Sequence, residues 1–223
     1  NLPAVLVALG WLAWTQPAPA WLRPWDPRVP LALDDPPNLL TRWRLWRLEQ
    51  DPAACFGAIA GAGLAVARVA DQPEADGCSI VDALRLPSRL ALRPGAPVLT
   101  CGMAASWTLF ERHALQPAAR EHLGSEVVGV RHLGSYNCRN VRGGNRRSQH
   151  ADANALDVAG FTLRDGREVT LLRGWDRPGG EGDFLRAARD GACRFFGAVL
   201  GPERDALHRA HFHLDRGLWR RCQ

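Results

Sequence analysis

Hydrophobic and polar positions divide the chain into three stretches. From Leu2 to Trp14 it is almost wholly apolar, and no charged residue occurs from Asn1 through Leu22. Seven of the 16 prolines then fall between Pro17 and Pro37, a density that predicts an extended, semi-rigid spacer. Beyond it the pattern becomes that of a folded domain. Asn38 reads as an N-cap ahead of Leu39, Leu40, Trp43 and Leu48, an amphipathic helix with arginines on its other face. Residues 57–70 mix small and β-branched types, and 79–92 predict short strands with turns. Residues 104–123 predict a helix broken at Pro117. The alternation of EVVGVRHL over 126–133 predicts a strand, and 140–147 a polar Gly- and Arg-rich loop. A second apolar strand over 154–163, the Asp165-Gly166 turn and residues 168–172 predict a β-hairpin. Residues 184–200 predict a long helix stopped at Gly201-Pro202, and 211–215 a last short strand. Interspersed strands and helices of this kind indicate the α+β class.

Composition narrows the picture. At 223 residues the chain suits one domain with an appendage, and 46% hydrophobic with 23% charged residues excludes wholesale disorder, collagen and a multi-span membrane protein. All 28 basic residues are arginine; they are scattered among 23 acids to leave a net charge of +5. A nucleic-acid binder gathers its charge into a stripe, so no nucleic-acid partner is expected, whereas a polyanionic cell envelope suits this balance. The six cysteines (55, 78, 101, 138, 193 and 222) are even in number and contain no CxxC pair. That argues against a thiolate zinc site and for disulfides in an oxidising compartment; sequence alone does not choose their pairing. The apolar start reads as the remainder of a signal peptide or as a single membrane anchor, with Trp11, Trp14, Trp21 and Trp25 as an interfacial aromatic belt. The expected organisation is an anchor over 1–22, a proline-rich linker over 23–37 and an exported domain over 38–223.

Four of the seven histidines fall in two short segments, S-Q-H-A-D-A-N-A-L-D over 148–157 and H-R-A-H-F-H-L-D over 208–215. Imidazole nitrogen and carboxylate oxygen are good zinc ligands, and a catalytic zinc takes three protein ligands with one position open. On a straight strand His150 and Asp157 stand roughly 23 Å apart, so they share an ion only if the chain between them bends, which Ala151, Ala153 and Ala155 make sterically easy. His211 and His213 project from one face of a strand. Either both ligate, or one ligates while the other acts on the attacking water. His208 is close enough to line the same cleft. Asp215 either orients a ligand histidine or caps the strand end. Ser148 lacks a G-x-S-x-G elbow, so it supports a ligand or touches substrate. Cys138, beside the first segment, suggests a bridge that braces the site.

The pattern S-x-H-x6-D followed by H-x-H resembles the zinc D-Ala-D-Ala peptidases, a group of dipeptidases, D,D-carboxypeptidases and penicillin-insensitive murein endopeptidases. More closely, the stretch from about Cys55 to Asp215 resembles the bacterial extensin-like C-terminal domain. Carrying this are Tyr136-Asn137-Cys138-Arg139, Ser148-Gln149-His150-Ala151, Asp157-Val158-Ala159-Gly160-Phe161, Leu200-Gly201-Pro202 and His211-Phe212-His213-Leu214-Asp215. The resemblance implies a small, mainly antiparallel sheet with flanking helices, carrying one zinc on His150, Asp157 and His213. It implies His211 as the base, His208 as a further catalytic histidine, and Tyr136, Arg139 and Ser148 at the substrate, with Arg139 polarising a carbonyl. Two departures stand out: the Tyr-x-Cys-Arg spacing at Arg139, and Ala153 where the peptidases carry glycine.

Two functions follow as expectations. The first is a periplasmic zinc metallopeptidase, held at the inner membrane, that hydrolyses D-Ala-containing bonds of peptidoglycan stem peptides. The second is a catalytically silent zinc- or peptidoglycan-binding envelope module. A cytosolic regulatory zinc protein is opposed by the cysteines and by the N-terminal stretch.

Overall fold

The computed structural model describes residues 18–223 together with Val7, Gly10, Trp11, Thr15 and Gln16. Most of the stretch expected to be an anchor lies outside the described residues, among which no helix is long and apolar enough to cross a membrane.

In chain order the elements are α1 (Thr41–Glu49), α2 (Pro52–Gly61), β1 (Ala67–Arg68), β2 (Gln72–Ala75), β3 (Cys78–Ile80), β4 (Ala83–Arg85), β5 (Ala91–Arg93) and β6 (Val98–Thr100). Then come α3 (Cys101–Phe110), a π-helical turn (Glu111–Leu115), α4 (Gln116–Leu123), β7 (Val127–Gly134) and β8 (Ala155–Leu163). The chain finishes with β9 (Glu168–Thr170), α5 (Leu171–Gly174), α6 (Gly180–Ala192), β10 (Ala198–Leu200), β11 (Phe212–Asp215) and β12 (Arg221–Cys222). The protein is α+β.

The main sheet runs β12-β10-β11-β8-β7-β5, with β9 hairpinned onto β8. It is antiparallel except where β5 meets β7 and β10 meets β12. Smaller sheets, β1-β4-β6 and β2-β3, lie beside it. Gly160 lets the hairpin close, because a β-carbon there would stand 2.8 Å from the Val169 carbonyl oxygen.

Helix α3 forms the centre of the core. Its sequence CGMAASWTLF is apolar or small all round, and every residue of it is buried, as expected of a helix with no polar face. Ser106 and Thr108 donate their hydroxyls back to Gly102 and Ala104 carbonyls. The break expected at Pro117 is a π turn instead. The proline lacks the N–H that the α-helical ladder needs, and the wider turn before it lets the chain stay helical from Cys101 to Leu123.

Two other expectations are corrected. The helix expected over 184–200 ends at Ala192, and residues 198–200 are strand β10; a short apolar run has no period that separates a buried strand from a helix. Asn38 does not cap α1, which begins at Thr41. Its side chain instead accepts from Leu40 N at 2.9 Å and donates to the Pro24 carbonyl at 2.7 Å, organising the preceding turn. The 23–37 segment opens with a 3-10 turn over Arg23–Trp25 and is otherwise without regular structure; Leu31 and Leu33 enter the core, and His113 Nε2 meets the Leu33 carbonyl at 3.1 Å.

The six cysteines pair as Cys55–Cys101, Cys78–Cys138 and Cys193–Cys222. These bridges fasten α2 to the start of α3, β3 to the loop before the first histidine segment, and the end of α6 to β12.

Period-two alternation places the site. Along β8, Leu156 and Val158 face the core, and along β11, Phe212 and Leu214 do so. Asp157, His211, His213 and Asp215 therefore project from the opposite face of the sheet.

Candidate metal centre

His150 reaches that face because the chain bends before β8. Ser148 Oγ accepts from His150 N at 3.3 Å and starts a single 3-10 turn over Gln149–Asp152. Ala153 follows in the left-handed region at φ 52, and Asn154 N returns to the Gln149 carbonyl at 2.9 Å. The turn is tied down from outside. Asn137 N donates to the His150 carbonyl at 2.9 Å, the neighbouring Cys138 is bridged to Cys78, and Ser79 Oγ donates to Asp152 at 2.9 Å. Ser148 is buried, and its hydroxyl caps the turn that carries His150.

Asp157 and His213 are directly opposed across β8 and β11. Three atoms converge between them: His213 Nδ1 lies 3.0 Å from Asp157 Oδ1 and 3.1 Å from His150 Nε2, and His150 Nε2 lies 3.3 Å from Asp157 Oδ1. Each imidazole is oriented by an acceptor on its far nitrogen. His150 Nδ1 faces the Ser135 carbonyl, and His213 Nε2 faces Asp215 Oδ2 at 3.0 Å. The other oxygen of Asp215 accepts from Gly217 N at 2.8 Å and Ala198 N at 3.3 Å, holding the strand end.

The electrostatics follow from three lone-pair atoms facing one another. Burial disfavours a charged Asp157, but hydrogen bonds from His150 and His213 outweigh it and hold the carboxyl well below the usual carboxylate range. Burial likewise opposes a charged His213, yet Asp157 on one side and Asp215 on the other push it up to about 9. A proton on His213 reconciles the converging acceptors. His211 differs: burial lowers its pKa, and the raising effect of Asp157 does not offset this. Its Nε2 lies 3.7 Å from Asp157 Oδ1, beside the cluster rather than in it. The His208 ring is 5.4 Å from that of His211 and 6.2 Å from that of His213; its Nδ1 is held by Asp205 Oδ1 at 2.7 Å.

Tyr136 and Arg139 are not joined to this group. Both are exposed, and among the described residues the Arg139 guanidinium donates only to the adjacent Asn140 carbonyl, at 3.3 Å. Two supporting residues escaped the sequence reading. Asp205 carries a legible signal, an Asp at the start of a short turn three residues before His208. Ser135 carries none, because it acts through a backbone carbonyl that any residue supplies.

The donor set fits a small tetrahedral cation. Atoms each about 2.0–2.1 Å from a tetrahedral zinc stand roughly 3.3–3.4 Å apart; the three observed separations of 3.0, 3.1 and 3.3 Å need only slight opening. Among the described residues His150, Asp157 and His213 form the one group so arranged. Two imidazole nitrogens and one carboxylate oxygen, with the outer nitrogens facing acceptors, are a donor set in which the surrounding hydrogen bonds would fix the orientation of the metal-binding rings.

No curated protein and no solved structure matches the chain. The family described as extensin-like protein C-terminus matches residues 53–223, a range that takes in the bend, the paired strands and all four clustered histidines. The chain therefore belongs to the extensin-like C-terminal family.

Proposed function

We propose that this protein is a zinc-dependent peptidase of the cell envelope, related to the D-Ala-D-Ala metallopeptidases, which hydrolyses D-Ala-containing bonds in peptidoglycan stem peptides or cross-links. The observation that carries the reading is the convergence of His150 Nε2, His213 Nδ1 and Asp157 Oδ1 within 3.3 Å, with a further histidine, His211, at the edge of the same group. A zinc ion bound there supplies a Lewis acid that polarises a carbonyl and brings the pKa of water down to about 7. His211, kept neutral by burial, takes a proton from the attacking water and returns it to the leaving amine. Asp205 fixes the His208 ring, so that its free nitrogen can hydrogen-bond the substrate. Three disulfides that use every cysteine suit an oxidising compartment; together with the apolar N-terminal stretch they support a periplasmic location with inner-membrane attachment.

Two observations favour a second reading, a zinc-holding envelope-binding module without turnover. Ala153 occupies a left-handed position, and Arg139 makes no contact with the cluster. The deciding experiment loads the oxidised full chain with zinc and incubates it with purified cross-linked muropeptides, with and without a chelator. Chelator-sensitive conversion of dimers to monomers identifies an endopeptidase, and loss of a terminal D-Ala alone identifies a carboxypeptidase. One tightly held zinc per chain with no cleavage would overturn the peptidase in favour of the binding module.

A further inference from the structure

Along the sheet from the His/Asp cluster runs a groove of about 460 Å³, within the range of small-ligand sites. It adjoins the cluster: of the residues lining it, Ala159 lies two beyond Asp157 on β8, and Ala210 immediately precedes His211. Leu133 and Leu172 give it an apolar wall, both more than half exposed. Arg93 and Arg131 give it charge.

The two arginines are the unusual part. They are directly paired across β5 and β7, a placement of like charges on neighbouring strands that is unfavourable by itself. Neither makes an ion pair or a side-chain hydrogen bond among the described residues, and no acid lines the groove. His132, buried next to Arg131 on β7, steadies the groove wall, its Nε2 donating to the Gly95 carbonyl at 2.7 Å. A guanidinium pair without counter-charge, beside exposed aliphatic surface, matches carboxylates carried on a peptide, which accept two N–H bonds from each fork.

Arg131 is paired with Gly160, three residues along β8 from Asp157, so it stands roughly 10 Å from the cluster at about 3.3 Å per residue. An extended peptide crossing the cluster covers that span in three residues. We propose that this groove is a subsite in which Arg93 and Arg131 bind the free carboxylates of an acidic peptide about three residues from the bond held at the cluster. The inference rests on the peptidase reading for the chemistry at the cluster, and it places recognition of the substrate's carboxylates at the β5–β7 edge.

The test measures binding, not turnover. Metal-free full-length protein is titrated calorimetrically with a peptidoglycan stem tetrapeptide bearing free carboxylates and with the same peptide amidated. The free form should bind at least tenfold more tightly, and R93A/R131A should remove that preference while leaving zinc affinity and the unfolding temperature unchanged. R93K/R131K should keep part of the preference, since charge survives and the fork is lost. Equal affinity for the two peptides, no binding of either, or an undiminished preference in R93A/R131A would overturn the subsite. Carboxylate-selective binding by the metal-free protein with no cleavage of the same peptide by the zinc-loaded protein upholds the groove and removes the peptidase, while cleavage by the zinc-loaded protein that is indifferent to amidation does the reverse.

Discussion

His213 is an imidazole between two carboxylates, Asp157 at 3.0 Å on one nitrogen and Asp215 at 3.0 Å on the other. In the metal-free protein its pKa is raised to about 9, against about 6.5 in the unfolded chain. A group whose folded pKa is raised contributes stability that is complete below the unfolded value and is lost as pH climbs through the folded one. Metal-free protein should therefore lose on the order of 3 kcal/mol between about pH 6.5 and pH 9, read as a falling denaturation midpoint in urea; a flat profile would show that His213 is not the proton holder. Asp215→Asn keeps an oxygen for Ala198 N and Gly217 N but removes the charge behind His213. Zinc affinity should fall about 10- to 100-fold, as measured by competition with a chromophoric chelator, and the pH-dependent loss of stability should shrink with it.

At the scale of elements, the bend before β8 decides whether His150 can meet Asp157. The alanines around His150 announced that a bend was sterically permitted, and the left-handed Ala153 is where it is made. A β-branched side chain at that buried, left-handed position combines backbone strain with overpacking. Ala153→Val should cost at least about 2 kcal/mol and weaken metal binding, whereas Ala153→Gly should stay within about 1 kcal/mol of the parent. Chemical denaturation alongside zinc titration checks both; a well-tolerated valine would mean the turn can be rebuilt without left-handed backbone. The hairpin β8–β9 and strand β7 were legible because alternation and an Asp-Gly turn are local signals. The true end of α6 was not, since the strand after Ala192 exists because β11 and β12 are there to pair with it.

Across the whole molecule, distant segments are fastened around one core. The Cys78–Cys138 bridge closes a separation of 60 residues, which the chain-entropy account values at about 4 kcal/mol, and it holds the loop whose Asn137 supports His150. Removing it by C78S/C138S should lower both stability and zinc affinity. Removing Cys193–Cys222, at the sheet edge, should lower stability by a similar amount and leave zinc affinity within about threefold. Thermal unfolding and metal titration of the two double variants separate these outcomes, and equal zinc affinity in both would show that the bridge does not brace the site. The same scale explains the proline-rich segment. Its composition disfavours long helices and strands, and only the assembled core offers the surface that takes in Leu31 and Leu33.

Local information was enough for the α+β class, for most strands, and for the residue types and spacings of H-x6-D and H-x2-H-x-H, because period, turn chemistry and ligand chemistry are properties of neighbouring residues. Everything that depends on segments meeting was decided by the tertiary structure. That includes the register that sets His213 against Asp157, the disulfide pairing, the Ser135 carbonyl behind His150, the seating of Arg139 away from the cluster, and the pairing of Arg93 with Arg131. Strand order and long-range register are fixed by burial of a shared apolar face, and no short stretch of sequence contains the partner that it is buried against.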